Sequence, residues 1–312
     1  MIKITFMGAG STVFLRNVLG DCIYTDALKG MEIALYDIDG QRLEQSAAIL
    51  EAINKGNGCP ASIRSYLGAE NRRKALSGAD FVINAIQVGG YDPCTITDFE
   101  IPKKYGLRQT IGDTLGIGGI MRALRTIPVL EDFARDMEAV CPNAWFLNYT
   151  NPMSMLTGYM LRYTGVKTLG LCHSVQTCSK TLMDAIGMSD RLEGRRELIA
   201  GINHMGWLLD IRDRDGNDLY PEIRRRAKEK NASEKHHDMV RFDYIEKLGY
   251  YCTESSEHNA EYNPLFIKSK YPDMIEDYQI PLDEYPRRCI KQIEGWNQEK
   301  DSILMDGAIT HT

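Results

Sequence analysis

The chain has 312 residues, with 37 Lys and Arg against 43 Asp and Glu and a formal net charge of −6. At roughly 150 residues per domain this length predicts about two domains, and the acidic balance argues against nucleic acid or an anionic membrane as the main partner. Hydrophobic residues make up 43% and charged residues 26%, which excludes disordered, collagenous and coiled-coil classes, and no apolar run approaches the ~18 residues a membrane span needs.

Strand-like and helix-like runs alternate from the start. IKITFMG (2–8) is a short apolar strand, and helix-like sequence follows from about Ser11. MEIALYD (31–37) is a second strand and Arg42–Asn54 an amphipathic helix; a weaker strand sits near Ile63–Leu67, and FVINAIQ (81–87) is a clear apolar one. A glycine-rich segment runs from Val88 to Gly119, and Met121–Val140 keeps helical periodicity despite Pro128. WFLNY (145–149), a helix over Pro152–Tyr163 and VKTLGLC (166–172) complete the series. Such alternation predicts an α/β fold, a Rossmann-like doubly wound parallel sheet with helices on both faces.

After Gly187 the pattern changes. LIAGINHMGWLLDIRD (198–213) reads as β structure, Asp215-Gly216-Asn217 as a turn, and Pro221–Glu229 and Met239–Leu248 as helices. The expected organisation is a doubly wound domain over 1–190 and a smaller α+β domain over 191–312. The basic run Arg224–Lys230 is a solvated helix face. Eight cysteines without a CxxC pair read as free thiols rather than a disulfide scaffold. Met1 runs directly into an apolar strand, with no basic segment or cleavage site before it, so the expected compartment is the cytoplasm.

Gly8-Ala9-Gly10-Ser11-Thr12-Val13 follows the first strand and opens the first helix. Gly8 permits a tight turn, and Gly10 lets the backbone approach a pyrophosphate. The helix start at Ser11 and Thr12 supplies amide hydrogens and a partial positive charge. Val13 replaces the third glycine of the usual fingerprint. Asp37 ends the second strand, where a carboxylate accepts hydrogen bonds from ribose hydroxyls and repels a 2′-phosphate, favouring NAD over NADP.

In an open α/β sheet, ligands bind beyond the carboxyl ends of the strands. That rule selects Gln87, which runs into Val88-Gly89-Gly90, as a cofactor contact. It also selects Asn151, before Pro152, and Cys172-His173. Asn followed by Pro is equally a helix cap with its first helical residue, and a cysteine at a strand end is often just a small buried residue. His204 lies in an apolar run where a histidine is ordinarily a satisfied core group, although a Cys172 thiolate and a His204 imidazole make half of a transition-metal site. Glu254–Tyr262 is dense in proton-moving groups but also has the composition of an exposed polar loop.

Together these segments resemble family 4 of the glycoside hydrolases, the NAD- and metal-dependent glycosidases, and above all its α-galactosidase (melibiase) branch. The resemblance runs through FMGAGSTVF (6–14), ALYDID (34–39), QVGGYDPCTITDFE (87–100), GDTLGIGGIMRALRTIP (112–128), LNYTNPMSM (147–155), GLCHSVQ (170–176), AGINHMGW (200–207), LGYYCTESSEHNAEYNPLFIK (248–268) and PLDEYPRRC (281–289). It implies an α-galactoside as small-molecule substrate and a route unlike the two-carboxylate displacement of most glycosidases. NAD⁺ oxidises sugar C3, a divalent metal, usually Mn²⁺, assists loss of the C2 proton, the C1 oxygen leaves by elimination, water adds, and NADH returns the hydride. On this reading Cys172 and His204 are metal ligands, and Asn151 contacts both cofactor and substrate. His173 and His204 also meet the substrate. His173 is the acid for the departing oxygen, Tyr262 the base, and Asp113 a further catalytic or supporting group. A histidine with a reference pKa of ~6.5 suits proton donation near neutrality, whereas a tyrosine at ~10 needs a nearby cation. Cys–His ligation is soft for Mn²⁺, so ligand chemistry alone favours Zn²⁺ or Fe²⁺. Homodimers or homotetramers are also implied. Family members carry a further C-terminal segment that the tail Asp301–Thr312 does not resemble.

Other readings make different demands. An α-glucosidase or α-galacturonidase would use the same mechanism. A 2-hydroxy acid dehydrogenase of lactate/malate type shares the Asn-Pro step but wants arginines in the loop after the fourth strand, and Gln87–Glu100 contains none. A non-catalytic NAD-binding protein would keep only the glycine turn.

Overall fold

The computed structural model describes residues 1–58 and 61–306. In chain order the elements are β1 (Lys3–Met7), α1 (Thr12–Tyr24), β2 (Glu32–Asp37), α2 (Gly40–Gly56), β3 (Ser62–Leu67), α3 (Arg72–Leu76), β4 (Phe81–Asn84), α4 (Ile96–Lys104), α5 (Gly116–Val140), β5 (Trp145–Asn148), α6 (Met153–Tyr163), β6 (Lys167–Gly170), α7 (Ser174–Ala185), β7 (Arg196–Ile202), β8 (Met205–Arg212), α8 (Tyr220–Ser233), α9 (Met239–Leu248), β9 (Tyr251–Cys252), α10 (Ser256–Tyr262), α11 (Asp273–Asp277) and α12 (Glu284–Asp306). Two compact units result. One takes Met1–Cys94, Arg122–Leu171 and the chain from Arg288, the other Thr95–Met121 and Cys172–Arg287. The units interleave in sequence, and neither ends at the change of pattern near 187–197.

The first unit is a six-stranded parallel sheet in the order β3-β2-β1-β4-β5-β6. Its central strands are apolar on both faces, as strands covered on both sides must be. The two-residue period of a strand sends Phe6, Ile33, Leu35 and Ile83 into one core with Leu15 and Leu50. Their neighbours Met7, Tyr36 and Val82 enter the other, with Phe133 and Phe146. Chain order reverses between β1 and β4, which opens the crevice beyond the carboxyl ends of the strands.

Two local expectations change here. The fourth strand stops at Asn84, short of the expected 87. Its side chain is fully buried and donates to Asn148 Oδ1 (2.9 Å) and Thr150 Oγ1 (3.1 Å), tying the ends of β4 and β5 together. The cap of α6 falls one residue later than expected: Pro152, not Asn151, holds the N-cap position, the peptide bond between them is cis, and the helix starts at Met153.

The second unit contains the antiparallel sheet β7-β8-β9. β7 and β8 form a tight hairpin in which Ile202 pairs with Met205, so Asn203 and His204 alone make the turn. The sequence reads there as one β run. Gly201 is required by the approach of the strands, because a Cβ on it would lie 2.5 Å from Met205 O and 2.6 Å from Gly206 Cα. The glycine-rich stretch of 88–119 holds the helix α4, preceded by a π-helical turn over Gly90–Thr95. Buried Asp238 accepts from Arg241 Nε (2.5 Å), Tyr251 OH (2.6 Å) and Ser256 Oγ (2.8 Å). This satisfies a buried charge pair that would otherwise be costly and locks α9, β9 and the start of α10 together. The seven described cysteines are free thiols, and Cys59 lies outside the described residues. Among the described residues no helix is long and apolar enough to cross a membrane.

Candidate active site

In the second unit, the pairing of β8 with β9 brings distant residues together. Trp207 lies opposite Cys252, and Thr253 N donates to Gly206 O (2.9 Å). Continuing that antiparallel register outward by two residues sets Met205 opposite Glu254. His204, at the hairpin tip with φ +64°, is thereby held beside the chain that enters α10. A left-handed conformation in a non-glycine residue is uncommon and persists where the surroundings enforce it.

Three donor atoms converge there. Cys172 Sγ lies 3.5 Å from His204 Nε2, and Glu254 Oε2 lies 3.3 Å from the same nitrogen. All three atoms fall within 4.8 Å of one another. A thiol, an imidazole and a carboxylate at this separation fit a first-row divalent cation. Burial pushes the Cys172 thiol up, but hydrogen bonds with His204 and Ser174 outweigh it and leave the thiol below its ordinary value. Burial likewise pushes His204 down, and its bond to Cys172 together with the charges of Glu254, Cys172 and Asp113 outweighs that, leaving it raised. The two shifts share one cause, the contact between the thiol and the imidazole.

The other ring nitrogen of His204, Nδ1, is 3.1 Å from Tyr262 OH. His258 and Tyr262 are four residues apart on α10 and share a helix face. The His258 ring stands edge-on to His204 at 5.0 Å and to Tyr262 at 5.7 Å. Burial pushes the Tyr262 phenol well above its ordinary value, with the charges of Glu261 and Asp113 adding to it. Asp113 is buried and accepts from Thr114 Oγ1 (2.8 Å). Its loop is fixed by Glu261, which accepts from the backbone N–H groups of Thr110 (2.7 Å), Ile111 (3.1 Å) and Gly112 (2.9 Å). Burial raises Glu261 to about 7, against those amide donors, which favour its charged form.

In the first unit the glycine turn has the shape expected of a dinucleotide site. Gly8 and Ala9 donate to Tyr36 O, both at 3.0 Å. Gly8 has φ +88°, and a Cβ on it would meet Ala85 and Ile86 backbone atoms at 2.8 Å. The α1 N-terminus begins at Thr12, and the Ser11 side chain makes no capping bond, so the end amides suit a phosphate. Val13 is 44% exposed, so the third glycine, needed only for close helix–strand packing, is dispensable. Asp37 ends β2 as expected, but its carboxylate also shapes the turn. Oδ2 accepts from Gly10 N (2.6 Å), and Oδ1 accepts from Ile38 N (2.8 Å) and Asp39 N (2.9 Å). Gln87 is exposed beyond β4, and Asn151 is half-buried beyond β5.

The sequence matches "Family 4 glycosyl hydrolase" over residues 3–188 and "Family 4 glycosyl hydrolase C-terminal domain" over residues 199–308. The chain belongs to glycosyl hydrolase family 4. It is 63% identical over 311 residues to an alpha-galactosidase of Bacillus subtilis (strain 168), covering 100% of this chain and 70% of that protein. It is 30% identical over 298 residues to an alpha-galacturonidase of Thermoanaerobacter italicus, covering 90% of this chain and 64% of that protein. A solved 6-phospho-alpha-glucosidase from gut microorganisms, in complex with NAD and Mn²⁺, shares the fold with a TM-score of 0.77 at 20% identity, over 99% of this chain and 70% of the other.

Within this family 4 chain, Cys172, His204, Tyr262 and Asp113, chosen from separate parts of the sequence, gather in one cluster. His173 is exposed at the N-cap of α7, next to Cys172 in the chain. Sequence reasoning missed Glu254 as a partner of His204 and Glu261 as the clamp on the Asp113 loop. The available signal was the four-residue spacing of His258 and Tyr262, which marks 256–262 as a helix. The composition suggests an exposed loop, whereas Ser256, His258, Asn259 and Ala260 are buried.

Proposed function

We propose that this chain hydrolyses α-galactosides through transient oxidation at sugar C3, with NAD held at Gly8, Gly10, Ser11, Thr12 and Asp37 and Mn²⁺ held by Cys172 and His204. The observation that carries the reading is the two-sided use of His204. Its Nε2 faces the thiol and carboxylate while its Nδ1 meets Tyr262, so one imidazole joins the candidate metal ligands to the candidate base. When bound, NAD supplies the acceptor and later donor of a hydride at C3, and the cation supplies Lewis-acid charge beside the C2 and C3 oxygens.

The chain's own groups handle protons and orientation. With Nε2 taken up as a ligand, His204 would carry its hydrogen on Nδ1 and donate it to the Tyr262 oxygen, which would favour the phenolate against the burial that raises Tyr262. Tyr262 then removes the C2 proton. His173 delivers a proton to the departing glycosidic oxygen. Asn151 orients the sugar hydroxyls, Gln87 borders the cofactor, and Asp113, fixed by Glu261, steadies the Tyr262 side. The 63% identical alpha-galactosidase supports the choice of sugar, and the neighbour solved with NAD and Mn²⁺ supports the choice of cofactors. A thiolate ligand demands a reducing compartment, so the chain acts in the cytoplasm, and it works as a homodimer or homotetramer.

The test is hydrolysis of p-nitrophenyl α-galactoside with NAD⁺, Mn²⁺ and thiol, each omitted in turn. Activity is expected only with all three. Cleavage that persists without NAD⁺, or a C2 deuterium that never exchanges with solvent during turnover, defeats the mechanism.

A further inference from the structure

A cysteine and a histidine alone are a poor match to Mn²⁺, which prefers oxygen donors. The cluster contains the missing oxygen. We propose that Glu254 is a third protein ligand of the cation, through Oε2, and that it sets the site's preference for Mn²⁺ over softer ions. The inference rests on the metal-dependent reading above.

The geometry separates a ligand from a supporting group. A carboxylate that merely orients a metal-bound histidine takes the ring nitrogen facing away from the metal. Here that nitrogen, Nδ1, is already engaged by Tyr262 OH at 3.1 Å. Glu254 Oε2 instead addresses Nε2, the nitrogen that also faces Cys172 Sγ. A cation held at Nε2 would therefore also be within reach of the Cys172 thiol and the Glu254 carboxylate. The other carboxylate oxygen, Oε1, accepts from Ser255 N at 3.0 Å, which fixes the carboxylate with Oε2 toward the cluster. His258 does not draw Glu254 away, because its Nδ1 is 4.0 Å from Oε1 and bonded instead to Ser255 Oγ at 2.8 Å. Charge agrees: a thiolate, a carboxylate and a neutral imidazole balance a divalent ion.

The experiment measures Mn²⁺ and Zn²⁺ binding to the full chain without substrate, by calorimetry and by the electron paramagnetic resonance of free Mn²⁺. It compares the unaltered protein with Glu254→Gln, Glu254→Asp and Cys172→Ser, with circular dichroism to verify folding. Glu254→Gln is expected to weaken Mn²⁺ binding by more than about tenfold and Zn²⁺ binding by less, so the Mn²⁺/Zn²⁺ affinity ratio falls. Glu254→Asp, which keeps the charged carboxylate that glutamine lacks, recovers part of the Mn²⁺ affinity. Mn²⁺ binding unchanged in Glu254→Gln but lost in Cys172→Ser overturns the third ligand and leaves the functional reading standing. An unaltered chain that binds no Mn²⁺ overturns both.

Discussion

Replacing Gly8 by alanine tests the nucleotide turn with a built-in control. Gly8 and Gly30 both adopt positive φ, at +88° and +82°, but their surroundings differ. A Cβ at Gly30 meets nothing within 4 Å, whereas one at Gly8 lies 2.8 Å from three backbone atoms of Ala85 and Ile86. Left-handed backbone costs a non-glycine residue about 1–2 kcal/mol, partly offset by the lower chain entropy of alanine in the unfolded state. Gly30→Ala should therefore cost about 1 kcal/mol. Gly8→Ala adds the overlap with an immobile backbone, about 1–3 kcal/mol for a forced shift in a packed region, for a total of about 3 kcal/mol. At about 2–4 °C per kcal/mol for a chain of this size class, the melting midpoint falls by about 6–12 °C against about 2–4 °C for the control. Urea unfolding with an unchanged slope gives the free energies, and NAD⁺ titration gives the functional effect. NAD⁺ binding should weaken only in Gly8→Ala, because the displaced loop is the one proposed to carry the pyrophosphate. Equal destabilisation of the two variants, or unimpaired NAD⁺ binding by Gly8→Ala, would refute the reasoning.

Three further changes probe the cluster. Cys172→Ser removes the soft ligand and should abolish Mn²⁺-dependent hydrolysis while the fold persists; retained activity under metal titration counts against the assignment. Tyr262→Phe keeps the ring packing but deletes the hydroxyl, so kcat should fall about 10²–10⁴-fold and C2 hydrogen exchange should be lost; a kcat within threefold contradicts the base role. Glu261 has its folded value raised to about 7 from an ordinary 4.5, so the fold binds its proton more tightly than the unfolded chain. That contribution, about 3 kcal/mol, is complete below about pH 4.5 and is lost as pH rises through 7. Glu261→Gln should flatten the decline of stability between pH 5 and 7 in denaturant titrations, and parallel curves for the two proteins would speak against a protonated Glu261.

Much of the scaffold was legible in the sequence because strand and helix periodicities are local. β1, β2, β5 and α1, α2, α5, α9 fall close to their expected spans, and β4 ends early, at Asn84, whose side chain donates to Asn148 and Thr150. Glycines at 8 and 10 followed by an acid at 37 signalled the nucleotide turn, since only glycine tolerates that φ and that approach. Less was visible where polar composition and burial disagree. The run 254–262 has the residues of a solvated loop, yet its helix is buried, and no local pattern reports what covers a helix.

What the sequence determined by itself was the alternating architecture, the glycine turn and the identities of Cys172, His173, His204 and Tyr262 as groups of interest. Only the tertiary structure decided that Glu254 shares Nε2 of His204 with Cys172, that Tyr262 takes Nδ1, and that Glu261 clamps the loop bearing Asp113. The reason is register. Residue 172, residue 204 and the run 254–262 lie on three separate segments, and the hairpin turn at Asn203-His204 and the pairing of Trp207 with Cys252 are long-range choices that no single segment encodes.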